Sequence, residues 1–264
     1  MRCDELIKEL EHLAPLNCAC DWDNVGLLAG RCNKEVKKVF LAVDATDEII
    51  EEAILWGADM LITHHPLIFK PLKKISDTDF IGRRVLKLIA NDISCYAMHT
   101  NFDSAPGCMA DAAAKKLDLT GTNILELEGT LGENAYGIGR TGFLKKKMTI
   151  RELAGFVKER FALPFVTIYG ESALEGAVDF VAISPGSGES MIAPALEAGA
   201  QVLITGDIGH HSGIDAAASH MAVIDAGHYG LEYLFLDFME NYLKNQVTSL
   251  TIKKAGVLFP QTLI

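Results

Sequence analysis

Apolar residues along the chain follow two patterns. Short unbroken blocks, such as residues 39–43, 60–63 and 180–183, have the length and composition of strands buried on both faces. Between them, apolar positions recur at helical spacing. The stretch VKKVFLAVDATDEIIEEAILWGADMLITHHP therefore reads strand, turn, helix, strand, with Asp47 as helix N-cap, periodicity through Leu55 and Gly57 as the stop. That is a βαβ unit.

A second stretch, VDFVAISPGSGESMIAPALEAGAQVLITGDIGHH, runs through the same order of elements, and GADMLIT at 57–63 matches GAQVLIT at 199–205 at an offset of 142. Each unit leads into a strand ending near a histidine. AMHTNFD carries His99 and Asp103 and DAGHYGLE carries His228 and Glu232, both H-x-x-x-acid at an offset of 129. Two βαβ units resemble each other generically, but the shared order favours an internal duplication. The expected fold class is α/β, with two similar α/β lobes and mixed sheets. The expected boundaries are 1–120 for the first lobe and 121–264 for the second, within a single compact two-lobed unit.

Between the repeats, Gly-rich turns and short alternating runs predict antiparallel strands, then a helix opened by Thr149 with Glu152 in the capping-box position. GIGRTG at 137–142 matches G-x-G-x-x-G only formally, because residues 143–148 separate it from that helix. A glycine-rich hairpin is the better reading.

Composition narrows the function classes. The chain has 264 residues, is 49% hydrophobic and carries a net charge of −11, which disfavours a nucleic-acid groove. Lys145, Lys146 and Lys147, the basic cluster, read as a solvated turn. No apolar stretch approaches the roughly 20 residues of a membrane span. MRCDELIKELEHL reads as an amphipathic helix rather than a signal peptide, so a cytoplasmic location is expected. The six cysteines never form C-x-x-C and are expected to be reduced and mostly buried.

The chemistry-bearing residues sit where strands leave the sheet, the usual ligand edge of open α/β sheets. His64 and His65 stand at one such exit, His99 with Asp103 at another, and His228 with Glu232 at a third. Imidazole with carboxylate is a ligand set for zinc, manganese, iron or nickel. An extended backbone points His64 and His65 to opposite sides, which suits two ions better than one. A helix starting near residue 228 puts His228 and Glu232 on one face. In CDWDNVG, Trp22 reads as a packed loop anchor. Alternatively, Asp23 or Asn24 hydrogen-bonds a metal ligand, a role Asp44 of VDAT also invites. His210 and His211 are either pocket-lining or surface residues.

CDWDNVGLLAG, VDAT, THHPLIF, AMHTNFD, GIGRTG and DAGHYGLE, in this order over nearly the whole chain, resemble the NIF-three-like family, whose bacterial members often carry the name GTP cyclohydrolase 1 type 2 homologue. The resemblance implies a two-lobed α/β fold with a dinuclear metal site between the lobes, two divalent ions as cofactor, and self-association into a hexameric ring of dimers. It carries the metal ligands over to His64, His65, Asp103, His228 and Glu232, and leaves His99 for a pocket or proton-shuttling role. The implied function is metal-dependent hydrolysis of a small nucleotide-like molecule, GTP cyclohydrolase type 2-like. The alternative is a non-catalytic metal-binding scaffold or metallochaperone. No P-loop consensus for a triphosphate is present, and no nucleic-acid or membrane partner is expected.

Overall fold

The computed structural model describes residues 1–173 and 176–261. The chain runs α1 (Cys3–Leu13), β1 (Gly26–Ala29), β2 (Lys38–Ala42), α2 (Asp47–Trp56), β3 (Met60–Thr63), α3 (Phe80–Ala90), β4 (Ser94–Ala97) and α4 (Thr100–Ser104). It continues through α5 (Met109–Lys116), the long strands β5 (Thr120–Leu131) and β6 (Asn134–Met148), α6 (Ile150–Arg160), β7 (Thr167–Tyr169) and β8 (Val178–Ser187). After these come α7 (Ile192–Glu197), β9 (Val202–Gly206), α8 (His210–Ala218), β10 (Ala222–Asp225), α9 (His228–Glu232), α10 (Leu234–Gln246) and β11 (Thr251–Lys254). Two compact units result, Met1–Ala105 with Phe235–Leu258, and Pro106–Leu234 with Phe259–Ile264. Among the described residues no helix is long and apolar enough to cross a membrane.

The first unit holds a five-stranded mixed sheet in the order β1-β4-β3-β2-β11. Strands β2, β3 and β4 are parallel, β11 joins β2 in parallel, and β1 lies antiparallel to β4. Every residue of β3 and β4 is buried, as a strand covered on both faces requires. Phe40, Ile50, Leu61 and Leu88 centre the core between this sheet and its helices. Helix α2 begins one residue earlier than the sequence suggests. Thr46 is the N-cap, its hydroxyl accepting from the Ile49 amide at 3.3 Å, and Asp47 opens the first turn. Gly57 ends the helix in the left-handed region, at φ 73°, where a side chain would be strained.

The second unit holds a six-stranded sheet in the order β5-β6-β8-β9-β10-β7. Strands β8, β9 and β10 are parallel and β7 is antiparallel to β10. The pattern reproduces the first sheet: an antiparallel strand precedes three parallel strands in the chain and settles beside the third of them. The duplication read from GADMLIT and GAQVLIT is thus present in the connectivity. The expected antiparallel strands are the β5/β6 hairpin, and GIGRTG lies inside β6. The three lysines also lie in β6 rather than a turn. Lys145 pairs with Asp118 at 3.2 Å and Lys147 with Asp179 at 3.1 Å. Thr149 and Glu152 form the expected capping box of α6. All six cysteines are free, four of them buried.

Candidate metal centre

Parallel strands bring their carboxyl ends to one edge, so in the first unit β2, β3 and β4 deliver Asp44, His64 with His65, and His99 together. The extended-strand expectation for the two adjacent histidines fails here. Strand β3 ends at Thr63, whose hydroxyl donates to the His65 carbonyl at 2.8 Å. The amides of His64 and His65 then donate to consecutive carbonyls, those of Ala42 and Val43, at 3.2 and 2.9 Å. Consecutive donation to one neighbour is incompatible with the alternation of a strand. The two rings consequently lie side by side, with centroids 5.0 Å apart, and one ligand atom from each lies within 4.8 Å of one from His99.

Each imidazole is held by its Nδ1. His64, fully buried, donates from Nδ1 to the Met98 carbonyl at 2.7 Å. His65 donates to Asp44 Oδ1 at 2.7 Å and His99 to Asp23 Oδ1 at 2.9 Å. Because these acceptors take the Nδ1 proton, Nε2 carries the ligating lone pair. His64 Nε2 stands 3.6 Å from Asp103 Oδ1, on α4. Phe235 and Phe102 pack against His64 at centroid distances of 5.4 and 6.3 Å and fix its plane.

Asp23 has no exposed side-chain surface. Burial alone raises a carboxylate's pKa, but the bonds from His99 and from the Thr100 hydroxyl and amide outweigh it and hold Asp23 at about 2, below the ordinary 3.8. With a depressed folded-state pKa, the stabilisation is complete above pH 3.8 and disappears as pH falls through about 2. In acid titrations of the metal-free protein, the native chain should lose more stability across that window than Asp23→Asn, because the other paired carboxylates, Asp111 and Asp118 among them, are protonated in both. Parallel acid curves for the two would remove this assignment.

In the second unit, β9 ends at Gly206 and His228 opens α9. His228 Nδ1 donates to Asp207 Oδ2 at 2.8 Å, and its Nε2 lies 3.0 Å from Glu232 Oε2, one helical turn on. Glu232 is only 2% exposed. Asp225 accepts from the amides of Ile208 at 2.9 Å and Gly227 at 2.8 Å, tying together the two loops that carry Asp207 and His228. Sequence reasoning passed over Asp225, although a carboxylate closing an apolar strand was the available signal. At Gly186 a Cβ would stand 2.6 Å from Glu232 Oε1, so glycine gives the carboxylate its room. His210 and His211 begin α8 and are exposed.

The two H-x-x-x-acid stretches turn out to be one residue out of step. Thr63 pairs with Ala97 as Thr205 pairs with Asp225, and the amides of Met98 and Ala226 donate to those same threonine carbonyls. The structural offset is therefore 128, which makes Gly227 the counterpart of His99.

The sequence profile described as Duf34/NIF3 (NGG1p interacting factor 3) matches residues 1–258. The chain belongs to the Duf34/NIF3 family. A Clostridium perfringens relative named GTP cyclohydrolase 1 type 2 homolog is 32% identical over 249 residues, 94% of each chain. A Streptomyces coelicolor protein of the same name is 37% identical over 233 residues, covering 88% of this chain and 82% of that one. The crystal structure of Staphylococcus aureus hypothetical protein SA1388 matches with a TM-score of 0.89 at 28% identity, over 100% of this chain and 99% of that one.

In this Duf34/NIF3 chain the donor chemistry fits a divalent metal. The first unit offers imidazole nitrogens backed by acceptors, with a carboxylate beside them, and the second offers a His/Glu pair with the same backing. Asp44 holds His65 and touches no other candidate ligand through the bond described. Asp44→Ala should therefore weaken metal affinity roughly 10–100-fold, the usual effect of losing such a support. Chelator competition reads this directly, and an unchanged affinity would show that His65 needs no orienting partner.

Proposed function

We propose that His64, His65, Asp103, His228 and Glu232 together hold two divalent ions and that the protein is a metal-dependent hydrolase of a small nucleotide-like molecule. The observation that carries this reading is the common orientation of the imidazoles. His64, His65, His99 and His228 each have Nδ1 committed to a carbonyl or carboxylate, so each presents Nε2. Two ions follow from donor number, since a catalytic ion takes about three protein ligands and keeps one position open. Bound divalent ions supply Lewis acidity and a nucleophile at neutral pH.

The chain's own groups do the rest. Asp44, Asp207 and the Met98 carbonyl keep the imidazoles aimed, and Glu232 brings a buried anionic charge. His99, held by Asp23, presents a nitrogen that accepts and returns a proton. The names of the Clostridium and Streptomyces relatives favour GTP as the first substrate to assay. The reading also includes assembly into a hexameric ring of dimers, which sedimentation of the purified protein tests.

Elemental analysis joined to a turnover screen tests the proposal. Metal-replete protein should contain two equivalents of a divalent ion and hydrolyse at least one member of a panel of nucleotides, phosphoesters and small amides. Stoichiometric metal that exchanges reversibly, with no turnover on any member, would replace the hydrolase by a metal-carrying scaffold.

A further inference from the structure

The loop carrying Trp22 is anchored on both sides of the indole while the indole itself is left open. Its neighbour Asp23 is buried and bonded to His99 and Thr100. Asn24 donates from its side chain to the Ile68 carbonyl, clipping this loop to the one that carries Phe69. The Cys20 amide donates to the Thr100 hydroxyl at 2.9 Å, on the other side. Yet Trp22 is 61% exposed and Phe69 46% exposed. A packed loop anchor, the sequence's first reading of Trp22, would bury its ring.

The ring's position gives the exposure a meaning. Trp22 lies 6.1 Å from His99 in an edge-on contact and 5.9 Å from Phe69. His99 in turn lies 5.4 Å from His64 and 5.5 Å from His65. A continuous row of rings thus leads from solvent to the candidate ligands, and its outer end is apolar, flat and held in place. Aromatic faces placed this way bind other flat rings by stacking, and pre-anchored side chains lose little entropy in doing so.

We propose that Trp22, supported by Phe69, is the platform on which a planar heteroaromatic ring of the substrate stacks, beside His99. The assignment deepens the hydrolase reading and rests on it for the word substrate, but the binding surface has a readout of its own. Asp23 and Asn24 are positioning residues here, because they act through the placement of the indole.

The chain has two tryptophans, Trp22 and Trp56. Trp56 stacks edge-on against Phe40 in the first unit, so Trp56→Phe keeps an aromatic ring there and leaves Trp22 as sole reporter. Metal-replete Trp56→Phe protein is titrated with adenosine and guanosine, with ribose 5-phosphate as the flat-ring-free control. Saturable quenching of Trp22 by at least one nucleoside and none by ribose 5-phosphate is expected. Binding of that nucleoside, followed by equilibrium dialysis, should weaken on the order of tenfold in Trp22→Ala and be largely kept in Trp22→Phe, at unchanged metal content. Quenching without turnover on any substrate keeps the platform and sinks the hydrolase. No quenching by either nucleoside overturns the platform even if a hydrolytic activity is found. A Trp22→Ala variant that changes only the sedimenting mass assigns the indole to contact between copies, and also overturns it.

Discussion

Glu232→Gln is expected to leave the fold intact and to strip the protein of bound metal together with any hydrolytic turnover. The side chain is buried, with Oε2 3.0 Å from His228 Nε2. Glutamine matches its shape while exchanging an anionic oxygen for an amide that ligates poorly. Losing a ligand should cost more than the roughly 10–100-fold that follows loss of a supporting partner. Circular dichroism checks the fold and elemental analysis after dialysis checks the metal. Retention of the full metal complement by Glu232→Gln would exclude this residue from the ligand set.

The largest effect on stability should come from Phe235→Ala. Phe235 is fully buried, 5.4 Å from the His64 ring and 5.1 Å from Phe102, which in turn meets Phe238 at 5.1 Å. Truncating such a ring removes its transfer free energy and leaves a cavity, together costing about 3–5 kcal/mol. Equilibrium urea unfolding measures the loss. Because the cavity opens beside His64, metal affinity should fall with it. A cost under about 1 kcal/mol would mean that the neighbouring rings close the gap, against the close packing typical of interiors.

The elements that were legible in the sequence are those set by a local pattern. The blocks at 39–43 and 60–63 are strands because an unbroken apolar run must be covered on both faces, and Gly57 stops α2 because only glycine is unstrained there. The capping box at Thr149 was legible for the same reason. What escaped depends on partners distant in sequence. The side-by-side rings of His64 and His65 depend on two consecutive carbonyls of the β2 exit, those of Ala42 and Val43, to which their amides donate. The offset between His99 and His228 was masked by identical spacing to an acid, and strand register alone corrects it. No local signal shows that Trp22 would stay in solvent or that β11 would return to pair with β2.

That return has a consequence for how the molecule is made. Phe235 is part of the wall against which His64 rests, and it lies 171 positions later in the chain. A ribosome delivering the protein from its N-terminus therefore exposes His64, His65 and His99 long before the side chain that fixes the His64 ring exists. Strand β11, which closes the open edge of β2, emerges later still. Domains fold broadly in order of synthesis, but the histidine cluster of the first unit reaches its final packing only after the strands of the second have been translated, so the donor set of that cluster is complete in the finished chain and not in the nascent one.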